Sequence, residues 1–262
     1  MEHEQSSNLA VLIDADNAQP KALTKILNEI AKYGTATVKR AYGDWTTTNL
    51  GGWKGLLHVH AVQPIQQFAY TTGKNATDSA LIIDAMDLLH SGKVDGFCLV
   101  SSDSDFTRLA TRIRESGLVV YGFGEQKTPN PFVKACDKFI YTEILAKDVK
   151  PSKPQPSTKV KATKKKASEP TKTDKPSPLG TGAQLKKMLT SAIDDASIED
   201  DWVFLGAVGS LLTKIDPAFD SRNFGYKKLG DLVREQPYLE VKETKAHRDD
   251  TVTQIYVRLK AA

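Results

Sequence analysis

The stretch Gly96-Phe-Cys-Leu-Val-Ser-Ser-Asp103-Ser-Asp105-Phe106 decides the fold. Its first five residues suit a buried strand, and two carboxylates follow where that strand should stop. Phe106, Leu109, Ala110 and Ile113 then recur at helical spacing, so a helix is expected directly after the acids. A strand that feeds a helix in this way puts Asp103 and Asp105 at the carboxyl edge of an α/β sheet, where open sheets build their sites. Taken alone, Asp103 reads as a helix cap and Asp105 as a first-turn acid favoured by the helix dipole.

The same arrangement recurs at Ile13-Asp14-Ala15-Asp16-Asn17, where the apolar run 9–13 ends in acids just before a stripe of Leu23, Ile26, Leu27 and Ile30. A third acidic point lies on the helix expected over 78–90. Stepping ~100° per residue puts Leu81, Ile82, Ala85 and Leu89 in one arc, with Asp78 near its middle and Asp87 opposite. A carboxylate on a buried stripe needs a partner or a shifted pKa, because an unpaired buried charge costs several kcal/mol. Asp14, Asp78 and Asp103, with Asp105 beside them, can therefore converge at adjacent strand ends. Clustered carboxylates call for a hard divalent cation such as Mg²⁺ or Mn²⁺, which does phosphoryl chemistry.

Around these points, residues 8–141 alternate short apolar strands with helical patterns, which predicts a doubly wound α/β domain with a parallel sheet covered on both faces. Further strands are expected at 38–42, 61–65, 118–123 and 139–141. Residues 1–146 form the first expected domain. Residues 147–182 hold ten Lys against Asp148, Glu169 and Asp174, a net +7 within a chain of +4, and six of its twelve Pro. That composition cannot bury enough surface to fold, so a basic, disordered tether is expected. In 183–262, helical stripes at 185–193 and 205–212, a glycine-containing turn into a third helix, and alternating segments at 238–241 and 252–259 predict a small winged-helix module.

The 262 residues contain no membrane-length apolar run, and the polar start lacks the apolar core of a signal peptide, so a cytoplasmic protein without membrane contact is expected. Cys98 and Cys136, far apart and without CxxC spacing, point to neither a zinc site nor a disulfide. Gly122-Phe-Gly124 lacks the third glycine of a dinucleotide loop. Arg40, Tyr42 and Trp45, near the expected crevice, suit a phosphate and unpaired bases, although core packing competes for the two aromatics. Lys74 suits a phosphate as a point charge.

The segments VLIDADNA (11–18), RAYGDW (40–45), QQFAYTTGKNATDSALIIDAMDLL (66–89), CLVSSDSDF (98–106) and FIYTEIL (139–145) resemble the NYN domain of the PIN-like nuclease superfamily, in its bacterial LabA-like branch. The resemblance implies a Rossmann-like (PIN-like) parallel sheet and a metal-dependent ribonuclease. Asp14 matches the family's first acid, Asp78 its helix acid, and Asp103 and Asp105 its DxD pair. Asn17 matches the polar neighbour of the first acid, and Ser102 stands where many relatives have Gly. Trp202-Val-Phe-Leu-Gly, Phe219-Asp-Ser-Arg and Phe224-Gly-Tyr-Lys-Lys-Leu-Gly-Asp-Leu resemble the LOTUS, or OST-HTH, domain. That second resemblance implies RNA binding, with Arg222, Lys227 and Lys228 as phosphate contacts, and leaves room for a protein partner.

Three functions compete. The favoured one is a Mg²⁺- or Mn²⁺-dependent ribonuclease, expected to cut single-stranded or structured RNA internally. An RNA-binding adaptor without catalysis is the second. An aspartyl-nucleophile phosphatase built on Asp14 is the third; Asn17-Ala18 after Asp16 departs from the Thr or Val such enzymes commonly carry.

Overall fold

The computed structural model describes residues 6–68, 76–146, 182–197, 202–246 and 249–260. Lys74 and nearly all of the expected tether lie outside the described residues. In the first part, six parallel strands, β1 (Asn8–Asp14), β2 (Thr35–Gly43), β3 (Gln63–Gln66), β4 (Gly96–Val100), β5 (Val119–Gly124) and β6 (Lys138–Tyr141), form one sheet in the order β3-β2-β1-β4-β5-β6. The order reverses between β1 and β4, and open α/β sheets form their crevice at such a switch point.

Every residue of β4, and every residue of β1 after Asn8, is buried, as parallel strands covered on both faces require. Leu9, Val11 and Ile13 pack with Leu23, Ile26 and Ile30 of α1 (Leu23–Ile30), Leu57 of α2 (Lys54–Val59) and Ile144 of α6 (Thr142–Ala146). Each such side chain contributes about 1.5–3 kcal/mol of hydrophobic stabilisation. By alternation, residues 10, 12 and 14 face the other side, which is covered by α3 (Ala76–Ser91), α4 (Thr107–Glu115) and α5 (Asn130–Ala135). There Phe132 stacks edge-on against Phe139, with ring centroids 5.8 Å apart. Gly122 is a packing glycine: a Cβ added there would sit 2.4 Å from the Phe139 ring and 2.7 Å from Cys136 Sγ.

The C-terminal domain has α7 (Gly182–Ala196), α8 (Leu205–Ile215) and α9 (Leu229–Arg234), with an antiparallel sheet in the order β7-β9-β8, where β7 is Val203–Phe204, β8 Leu239–Ala246 and β9 Asp249–Leu259. Leu185, Leu189, Ala192 and Ile193 of α7 are buried, as are Leu232 and Val233 of α9 and Val257 of β9. Gly225 has φ +88°, a left-handed turn before α9 that glycine adopts without strain. No helix among the described residues is long and apolar enough to cross a membrane.

Two of the expected contact residues in the first part are engaged within the fold. Tyr42, expected to stack on a base, is fully buried, and its hydroxyl donates to Asp84 Oδ2. Arg40, expected to hold a phosphate, pairs through Nη1 with Asp84 Oδ1. Asp84 lies on the flank of α3 that meets β2, so both residues of β2 satisfy an acid of the packed helix.

Candidate metal centre

The site forms because strand ends and one helix start meet. Ala10 pairs with Phe97 and Leu12 with Leu99, so one register step further brings Asp14 beside Ser101 at the carboxyl edge. Ser101 Oγ donates to Asp14 Oδ2 at 2.7 Å and accepts from the Asp103 backbone N–H at 3.0 Å. One buried hydroxyl thus ties the first acid to the DxD segment. Asn17 completes the hold on Asp14, donating from Nδ2 to Oδ2 at 2.9 Å and from its backbone N–H to Oδ1 at 3.3 Å.

Asp103 is both a cap and a member of the cluster. Its Oδ1 accepts the Asp105 backbone N–H at 2.9 Å, starting the single 3₁₀ turn Ser104–Phe106 that leads into α4. One carboxylate oxygen from each of Asp78, Asp103 and Asp105 lies within 4.8 Å of the other two. All donors are hard oxygens, and among the described residues no Lys or Arg forms an ion pair with Asp78 or Asp103, so the residues present fit a divalent cation.

The electrostatics agree. Burial pushes the Asp78 carboxyl up to about 6, and the charges of Asp14, Asp103, Asp105 and Asp16 add to the rise. Burial also raises Asp14, against the lowering effect of the hydrogen bonds from Ser101 and Asn17. Asp14 is fully buried and stands outside the group of three, whereas Asp105 is exposed. The four expected acids are therefore brought to one edge, Asp14 held by hydrogen bonds and one oxygen from each of the other three grouped together.

The remaining expected contacts are dispersed. Asn17 is exposed and serves Asp14. Trp45 is half-buried and donates its indole N–H to the Ile65 carbonyl at 2.9 Å, leaving its ring beside Leu50, Leu57 and Pro64 in an apolar pocket of about 660 Å³. Lys227 and Lys228 are exposed at the entry to α9, and Arg222 lies half-buried in the turn Ser221–Phe224. Ser101 escaped the sequence reading; its signal was a small polar residue at the junction of an apolar strand and an acidic pair.

Comparison with known proteins gives family matches and distant structural ones. Residues 8–145 match the model of the NYN domain, and residues 182–249 match that of the OST-HTH/LOTUS domain. No curated protein matches. Among solved structures, a protein of unknown function from Vibrio parahaemolyticus is 18% identical with a TM-score of 0.45, the match covering 53% of this chain and 94% of that one. An uncharacterized protein from Nitrosomonas europaea is 30% identical with a TM-score of 0.28, covering 38% and 94%. A protein segment from Chromobacterium violaceum is 36% identical with a TM-score of 0.25, covering 32% and 87%. With TM-scores this low, membership rests on the family models. A PIN-like nuclease domain followed by an RNA-binding module supports an RNA-acting nuclease. Because the NYN match takes in more than half of its length, with the OST-HTH/LOTUS match following, the chain belongs to the NYN-domain family.

Proposed function

We propose that the chain is a Mg²⁺- or Mn²⁺-dependent ribonuclease that cuts single-stranded or structured RNA internally, with residues 1–146 as the nuclease domain, 147–182 as a basic tether and 183–262 as the RNA-binding module. The observation that carries this reading is the group of Asp78, Asp103 and Asp105 at the switch point, with Asp14 behind it. A divalent ion bound there would polarise a phosphodiester and lower the pKa of a water. Asp78, Asp103 and Asp105 would hold that ion. Asp14 would supply fixed negative charge from behind, kept in one rotamer by Ser101 and Asn17. The module and tether would raise the local concentration of RNA through phosphate contacts.

The aspartyl-nucleophile alternative loses ground because Asp14 is fully buried and both its oxygens accept hydrogen bonds. Labelled single-stranded and duplex RNA and DNA, incubated at low salt with and without Mn²⁺ or Mg²⁺, test the proposal. RNA should shorten only with metal, and Asp103→Asn should leave it intact. Wild-type protein that cuts no RNA with either ion would count decisively against it.

A further inference from the structure

The C-terminal sheet has a face of unusual composition. Along β9, Val257 is buried and Ile255 lies against α9, where a Cβ added to Gly230 would stand 3.1 Å from Ile255 Cδ1. Tyr256 and Arg258 therefore face the other way. The register sets Phe204, Tyr256 and Lys242 in one row across all three strands, and Arg258 opposite Glu240 in the next. Trp202, directly before β7, has the Arg258 guanidinium carbon 4.6 Å and Lys242 Nζ 5.8 Å from its ring centroid. Phe204 leans on Tyr256 with centroids 5.8 Å apart and remains 46% exposed.

Three aromatic rings, the exposed Lys242 and the Arg258–Glu240 ion pair share one sheet face and meet a specific ligand chemistry. Unstacked bases lie on aromatic and guanidinium planes, and flanking phosphates take the cations, so single-stranded RNA satisfies both sets at once. Arg258 already pairs with Glu240 Oε2 at 2.6 Å, so the exposed Lys242 is the cation that this face offers to a phosphate. We propose that this face, formed by Trp202, Phe204, Lys242, Tyr256 and Arg258, is the single-stranded RNA-binding surface of the C-terminal domain, in place of the helix-entry residues Lys227 and Lys228. The identity of the ligand rests on the ribonuclease reading above; the surface does not.

The test is anisotropy of labelled single-stranded RNA of mixed sequence with the full chain in EDTA, so that binding is read without cleavage. Phe204→Ala and Tyr256→Ala should each weaken binding on the order of tenfold, and Tyr256→Phe should restore it. Lys242→Gln should lower the slope of log affinity against log salt by about 0.7, one single-strand phosphate contact. Melting curves separate these effects from misfolding. The proposal is overturned if Lys227→Gln with Lys228→Gln removes binding while the aromatic variants keep it. It is also overturned if Phe204→Ala dissolves a dimer in sedimentation and leaves RNA affinity intact, which would assign the face to a second copy. Aromatic-dependent binding without metal-dependent cleavage would remove the nuclease reading and keep this surface; cleavage with aromatic-independent affinity would do the reverse.

Discussion

The two sheets of this chain use opposite parts of themselves. The parallel sheet is covered by helices on both faces, so its chemistry can stand only at strand ends, where Asp14, Ser101 and Asp103 gather. The antiparallel sheet buries Val203 and Val257 and leaves the neighbouring Phe204 substantially exposed, so its distinctive residues lie on a face. A strand end concentrates few groups tightly and suits a metal ion. An open face spreads rings and charges along a line and suits a polymer. Damage to the edge should therefore stop chemistry, while damage to the face should weaken affinity.

The largest expected effect breaks the comparison at its sharpest point. Asp103→Asn and Asp14→Asn should each lower metal-dependent RNA cleavage on the order of a hundredfold or more while leaving RNA affinity in EDTA unchanged. Equal loss of both activities would mean that edge and face are one site.

Asp78 gives the next effect, through pH. Its carboxyl titrates near 6 in the folded chain against an ordinary 3.8, so the native state holds its proton through that window. Stability relative to an unperturbed acid is present below the lower value and is lost as pH rises through about 6, when the cluster becomes fully charged. A divalent ion should offset that repulsion, so Mg²⁺ or Mn²⁺ should raise the melting temperature more at about pH 7.5 than at about pH 5. Asp78→Asn should raise metal-free stability at neutral pH by at most about 1 kcal/mol, solvent screening included, and abolish the metal-dependent increment. A metal effect independent of pH would separate Asp78 from the ion.

Ser101→Ala follows. It leaves the buried Asp14 carboxylate with one donor fewer and the Asp103 N–H without its acceptor, and should cost about 1–3 kcal/mol in denaturant unfolding. Cleavage should fall less than in Asp14→Asn, because the charges stay in place and only their alignment loosens.

The sequence displayed the alternation that makes the parallel sheet, and the acids were visible because the same strand-end placement recurred at separate points, which capping alone does not require. Strand β4 was legible to the residue, and the apolar stripe of helix α1 was legible without its bounds, since both periods are unbroken. Short elements were not: α5, α6 and the two-residue β7 carry less than two turns or one pleat of pattern, and long-range pairing creates them. Ser101 was hidden because a serine declares its role only through the partner it meets. Arg40 and Tyr42 looked like ligand residues from their place near a strand end, yet the acid they serve lies on α3, 44 and 42 residues away.

Tyr42→Phe carries the smallest expected effect and tests that last distinction. The phenol is buried beyond solvent reach, and burial together with Asp84 holds its proton firmly on the oxygen. Removing the hydroxyl keeps the ring volume and leaves Asp84 paired with Arg40, so unfolding free energy should drop by about 1.5 kcal/mol, the low end for one hydrogen bond to a charged group. Cleavage rate and RNA affinity, measured below the melting transition, should match the wild type. If instead affinity fell with stability unchanged, the ring would be meeting a base, and the edge of the parallel sheet would extend across β2 as a second binding face like that of the C-terminal domain.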